Sequence, residues 1–367
     1  MTRARTLAEL GLDPVRLSLV VSALLLLQPT KPTAAALVVG IAVVGALIAS
    51  TRWDLSRLVL AGLLVAGLVL RLDITERVGS DVLKVTTAAI EHVLRGGNPY
   101  GVGYSGSNPP GAPFPYGPLA LLWYLPVLDA PRYAELLAST LVATILALQG
   151  RLVGLTVYAL APVLVSTAVD GSNDTTLGLL LLTAFAAAAR RPVLGAAALA
   201  AAAAFKLSAL AWVPAFVVWA GWQAAGAFAA TLSAAWLPVL VAWGPGNVAW
   251  SIQTANAMHG EVTWSLGWIV REISGSSPPP WLNTFKFALG AGATVLTAPF
   301  VRSLDAVILT GALVYLVTLF GGTWATYAYF AALAPLVCWR LDDWLGLPRR
   351  PLVSGRPPSE AGLVPND

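Results

Sequence analysis

Residues 33–50 read TAAALVVGIAVVGALIAS, eighteen residues without a single charge. An α-helix rises about 1.5 Å per residue, so this run approaches the roughly 30 Å of a bilayer's hydrocarbon core. It is continuously apolar rather than alternating, which fits a helix and not a barrel strand. Similar runs occupy 57–72, 303–320 and 321–339. Of 367 residues, 57% are hydrophobic and 11% are charged, with a mean hydropathy of +0.75. A soluble domain carries about 25% charged residues. The expected fold is an all-α polytopic integral membrane protein with about 11–13 transmembrane helices.

The candidate spans lie near 15–31, 33–50, 57–72, 117–128, 132–149, 151–168, 175–189, 192–205, 208–222, 224–243, 283–300, 303–320 and 321–339. Together they define one transmembrane domain, 1–345. The Pro-, Gly- and charge-rich tail 346–367 is expected to be disordered and cytoplasmic. The net charge of +4 and pI near 9.3 would suggest nucleic acid in a soluble protein. Here the basic residues cluster in short loops and at both ends, MTRAR and RRPLVSGR, which is a topology signal that puts the termini in the cytoplasm. No nucleic-acid partner is expected. Polar LAELGLDP separates MTRAR from the first apolar run, unlike a cleavable signal peptide. The single Cys338 excludes an intrachain disulfide and a Cys-based metal cluster. His92 and His259 are too few and too separated for a zinc motif.

Two polar stretches interrupt the apolar pattern, 73–116 and 244–281. Counting crossings from a cytoplasmic N-terminus, and back from a cytoplasmic C-terminus, places both on the extracytoplasmic face. Between 116 and 190 the parity fails by one crossing. One segment there must not span, or two must form one element; 117–128, 175–189 and Pro162-bearing 151–168 are the candidates.

The first stretch opens with SDVLKVTTAAIEHVLRGG, residues 80–97. Ser80 can cap a helix there and Gly96-Gly97 can end it. Val82, Val85, Ala89 and Val93 form an apolar stripe, as in an amphipathic helix lying on the membrane surface. Asp81 falls in the first turn, where the helix dipole favours a carboxylate. It is either a helix-terminal charge or a general base at the interface; Asp73 and Glu76 are competitors. Downstream, the Gly and Pro residues of 94–118 argue against regular structure. Tyr100, Tyr104, Phe114 and Tyr116 suit packing of this return path onto the membrane domain.

Asp81, the helix after it, Gly97-Asn98-Pro99-Tyr100 and Phe114-Pro115-Tyr116-Gly117-Pro118-Leu119 together resemble the GT-C superfamily of membrane glycosyltransferases. The pattern is most similar to glycosyltransferase family 87, the polyprenyl-phosphate-mannose-dependent mannosyltransferases. It departs from that family at Val85, where an aromatic is common, and at Tyr116-Gly117-Pro118, where the family has a YPP-like turn. The resemblance implies a GT-C-like bundle whose extracytoplasmic loops carry amphipathic helices. It also implies that Asp81 is the catalytic base; Tyr100 and Tyr116 on the return path are candidate substrate-binding residues.

VDGSNDTTLGLLLL, residues 169–182, is a polar break. Asn173 or Asp174 caps the next helix, or Asp170, Asn173 and Asp174 approach the substrate. Lys206 interrupts the apolar run AAAAFKLSALAWVP; it snorkels at a helix junction or holds the donor phosphate. The second polar stretch carries NAMHGEVTWSLGWIVREI, residues 256–273. This is an interfacial helix with an aromatic belt, or a substrate loop in which Trp264 stacks on sugar or lipid and His259 or Arg271 binds phosphate.

The expected activity is inverting transfer of a sugar, with mannose implied by the resemblance, from a polyprenyl-phosphate donor to a lipid or glycan acceptor. A base takes the acceptor proton and cations steady the departing phosphate, so neither a cofactor nor an essential metal is expected. The rival is a transporter or flippase of lipid-linked sugars, which would show inverted repeats and broken mid-membrane helices. No internal repeat is visible.

Overall fold

Local signals set most helix starts. Asp13 accepts from the Val15 N–H at 3.1 Å and Pro14 opens α1 (Pro14–Leu26); Thr33 caps α2 (Ala34–Ala49). The computed structural model describes residues 13–28, 33–75, 80–258 and 264–349. The chain continues with α3 (Ser56–Ile74), α4 (Val82–Leu94), a two-residue antiparallel pair β1 (Gly103–Tyr104) and β2 (Ala112–Pro113), and α5 (Pro118–Tyr124). Next come α6 (Arg132–Leu148), α7 (Leu152–Leu160), α8 (Pro162–Thr167), α9 (Asp174–Ala188) and α10 (Pro192–Phe205). The rest is α11 (Val213–Ala220), α12 (Trp222–Trp243), α13 (Pro245–Met258), α14 (Leu266–Ser274), α15 (Leu282–Thr297), α16 (Leu304–Phe320) and α17 (Tyr329–Trp344). The fold is all-α. Among the described residues one continuous helix, α12, is long and apolar enough to span a membrane, and the bent pair 118–127 and 132–148 qualifies if taken together.

Several expected spans are broken. Segment 151–168 divides at Ala161, whose ψ of 121° is the extended geometry that a following proline imposes. Segment 208–222 begins as a 3-10 turn, Leu207–Trp212, before α11. The largest departure is 321–339: residues 321–328 are not helical, and the helix starts at Tyr329 and continues to Trp344. Tertiary hydrogen bonds hold the non-helical part. Asn283 Oδ1 accepts from the Thr323 N–H at 3.1 Å and its hydroxyl at 2.8 Å, and the Gly267 N–H donates to the Gly322 carbonyl at 2.9 Å. Residues 350–367 of the expected tail lie outside the described residues, as do His259 and Glu261.

The chain divides into two compact units, each discontinuous in sequence. The first comprises 1–69, 143–161 and 338–367. In it α1 packs on α2 and α7, and the Ser18 and Thr156 hydroxyls meet at 2.5 Å. Most of α2 is unpacked: of its residues Val43 alone is buried, while Ile41 is 75% exposed.

The second unit comprises 70–142 and 162–337. Its centre is α10, packed between α9 and α12. The α10 sequence PVLGAAALAAAAAF supplies small side chains that allow close approach of the neighbouring helix backbones.

Candidate functional site

The first polar stretch folds as a helix followed by a pinned return path. Ser80 Oγ accepts from the Val82 N–H at 3.3 Å, and α4 closes with Gly96 at φ +81° and the Gly97 N–H donating to the His92 carbonyl. The buried stripe is Leu83, Thr86 and Ile90, flanked by Val85 and Ala89; Val82 and Val93, expected on it, are half-buried. The return path is more regular than its Gly and Pro content suggests, because β1 and β2 pair. Its rings are buried: Tyr100 packs on Phe114, Trp236 and Trp243 at centroid distances of 5.6, 6.4 and 5.8 Å. Asn98 Nδ2 donates to the Trp243 carbonyl at 3.0 Å and the Gly101 N–H to Ser251 Oγ at 2.9 Å. At its end the Gly117 N–H donates to the Phe205 carbonyl at 3.0 Å, and a Cβ on Gly117 would lie 1.9 Å from the Ala204 carbonyl oxygen. Only glycine permits that approach.

Asp81 heads α4 without capping it. No helix N–H reaches its side chain; Oδ2 instead accepts from the Asn108 N–H at 2.6 Å, across the return path. The carboxylate is half-buried. The preceding residue is fixed too, since the Ser80 N–H donates to the Asp170 carbonyl at 2.6 Å. The two polar segments flagged in the sequence, 80–81 and 169–174, therefore meet.

Neither Asn173 nor Asp174 caps α9 through its side chain. Asn173 sits in the left-handed region at φ +57° and makes no capping hydrogen bond. A buried carboxylate from another helix takes that role. Glu135 on α6 accepts from the Thr176 N–H at 3.0 Å, the Thr176 hydroxyl at 2.5 Å and the Tyr124 hydroxyl. Asn173 and Asp174 are thereby left to Lys206, whose ammonium donates to them at 2.9 and 2.7 Å. Lys206 ends α10 in extended geometry, so its side chain turns inward beside α9; its Nζ lies 5.7 Å from the Tyr116 ring and 5.9 Å from that of Tyr329.

Tyr116 links the two halves. Burial, then the carboxylates of Asp174 and Asp81, hold its phenol far above the ordinary range, so it remains a neutral hydroxyl. The Tyr100 hydroxyl donates to the Tyr116 carbonyl at 2.9 Å, so Tyr100 is spent on positioning Tyr116. Burial also raises Asp170 to about 6, against hydrogen bonds from Ser172 that lower it. Asp170, Asp174 and Asn173 thus share one ammonium, and Asp81 is near enough to act on the Tyr116 phenol. Asn173 Nδ2 is buried, and the Asn173 side chain also acts on the Tyr116 phenol.

The second polar stretch contributes differently. Ser265 caps α14 by accepting from the Trp268 N–H at 3.0 Å. Trp264 stands before it at φ +75°, exposed, and Arg271 lies 3.9 Å from Glu272. The contacts described around Asp81 and Lys206 come from other elements. Glu135 and Asn108 went unrecognised in the sequence. A lone carboxylate inside the apolar run 132–149 was the available signal for Glu135; a backbone donor such as Asn108 leaves none. Comparison with family models, with curated proteins and with solved structures finds no match to this chain.

Proposed function

We propose that this chain is a polytopic membrane glycosyltransferase of the GT-C kind, working at the extracytoplasmic face on a polyprenyl-phosphate sugar. Membrane residence is supported by helices that are apolar and unpacked, α2 above all, because such faces are unstable in water. The 102° bend joining 118–127 to 132–148 lets the two runs count as one broken element, which would remove the surplus crossing from the topology. Exposed Ile269 and Ile273 on α14 suit a helix lying on the bilayer surface.

The observation that carries the enzymatic reading is the orientation of Asp81. An acid serving only its helix would bond the first-turn N–H groups. This one faces outward to Asn108, beside the Tyr116–Asp174–Lys206 cluster. As base it removes the acceptor hydroxyl proton while that oxygen bonds to the anomeric carbon from one side. The bond from that carbon to the phosphate oxygen breaks on the other side, with inversion, and polyprenyl phosphate leaves as an anion. Lys206 uses two of its three N–H donors on Asn173 and Asp174, leaving one for a phosphate oxygen. Asn173 Nδ2, buried near the Tyr116 phenol, is a second donor that a substrate oxygen would engage. Arg271 and His259 remain candidates for the phosphate, and Trp264 for sugar or lipid.

The test is transfer from defined polyprenyl-phosphate sugars to membrane acceptors by wild type and Asp81→Asn, with product identified by mass. The amide oxygen still accepts from Asn108, so the fold is kept. Transfer should fall by about a hundredfold or more. Wild-type transfer in the variant would overturn the assignment and leave a carrier of lipid-linked sugars.

A further inference from the structure

An open pocket of about 510 Å³, with a lining separate from the Tyr116 cluster, lies where α4 faces the bend between α5 and α6. It shares no residue with that cluster. Each wall carries one cation and one anion: Lys84 and Glu91 on α4, Arg132 and Asp129 on the bend. Arg132 is held by Nη1 donating to the Thr75 carbonyl at 2.6 Å, which leaves the rest of its guanidinium for another acceptor. Glu91 has Arg95 at 3.8 Å as its described partner. Tyr133, at the mouth, begins a stripe along α6 of Tyr133, Leu137 and Leu141, exposed by 51, 53 and 39%. That spacing keeps the three on one helix face.

We propose that this pocket binds the headgroup of a zwitterionic amino-phospholipid. The phosphate sits between Lys84 and Arg132, the ammonium is received by Asp129 and Glu91, and an acyl chain lies on the Tyr133–Leu137–Leu141 stripe. Charges of both signs at one mouth complement a ligand that carries both, and they penalise a purely anionic headgroup through the two carboxylates. The stripe selects a lipid over the free headgroup. The site rests on the membrane residence proposed above but not on the transferase chemistry.

Native mass spectrometry of the full chain, released from vesicles of equal phosphatidylethanolamine, phosphatidylcholine and phosphatidylglycerol, reads the retained lipid directly. Phosphatidylethanolamine should be retained preferentially. Lys84→Gln should lower retention by about tenfold, the loss of one charge-assisted hydrogen bond. Ala88→Trp, which fills the pocket, should abolish it. Free phosphoethanolamine should fail to displace the lipid. No preference in the wild type, equal retention in either variant, or displacement by the free headgroup would each overturn the proposal. Carbonate extraction of the same membranes reports integration separately. An integrated chain without lipid preference removes this site alone, and a chain washed out by carbonate removes the membrane reading with it.

Discussion

Each unit starts one helix with a carboxylate borrowed from another. In the first, Asp342 accepts from the Val153 and Gly154 N–H groups at 3.1 and 2.8 Å, at the head of α7. In the second, Glu135 does the same for Thr176 at the head of α9. The helices need this because the first N–H groups have no partner inside the helix. The surroundings differ. Arg151, Arg340 and Arg349 all pair with Asp343, so cations are abundant in the first unit. In the second, Lys206 is the one cation that the described contacts bring to Asp170 and Asp174, and Asp174 also acts on Glu135. Capping is common to the two clusters; what sets the proposed site apart is its crowd of carboxylates around one cation, an arrangement that is costly to bury.

The sharpest contrast is in turnover. Asp81→Asn should cost about a hundredfold or more in transfer, whereas Asp343→Asn should leave turnover per folded molecule unchanged. Equal losses would erase the distinction between the two units.

Stability should run in parallel for the two borrowed caps. Glu135→Ala strips Thr176 and Tyr124 of their buried acceptor and should cost about 3 kcal/mol. Asp342→Ala should cost about 1–2 kcal/mol. Thermal unfolding of the purified proteins measures both. A silent Glu135→Ala would mean that α9 does not need its cap.

The ion pair is isolated by a double-mutant cycle of Lys206→Met and Asp174→Asn. The double change should cost less than the sum of the two single changes, by a coupling of about 1–3 kcal/mol in stability. Additivity would mean that Lys206 is not held by Asp174.

A pH series gives a smaller signal. Asp170 is raised from 3.8 to about 6 by burial, so the folded chain holds a proton there that the unfolded chain has released. Its contribution to stability therefore falls as pH rises through that window and is lost above it. Asp170→Asn should flatten this fall in melting temperature; an unchanged slope would show that another group carries it. Smallest is Tyr100→Phe, which removes one hydrogen bond to the Tyr116 carbonyl and should cost about 1 kcal/mol.

Much of the helical plan was legible because its markers are local. Pro192 opens α10 and Lys206 ends it as the charge interrupting an alanine run; Ser80 and Gly96 bound α4. The polar break 169–174 and Asp81 were also visible, since charge stands out in apolar sequence. Partners were not. The Asn108 backbone, the Glu135 cap and the hydrogen bond that holds the non-helical 321–328 depend on residues between 27 and 41 positions away in the chain, and no period or propensity encodes them.

By itself the sequence determined an all-α chain, where its helices begin and end to within a turn in most cases, and which few charged residues sit among apolar ones. Those follow from backbone sterics, capping and hydropathy, which act over a few residues. Only the tertiary structure decided that Asp81 turns from its own helix toward Asn108, that Lys206 is shared by Asn173 and Asp174, and that Glu135 frees those two by capping α9 in their place. A buried polar group must find a partner wherever the packing provides one, and that choice is made in space rather than along the chain.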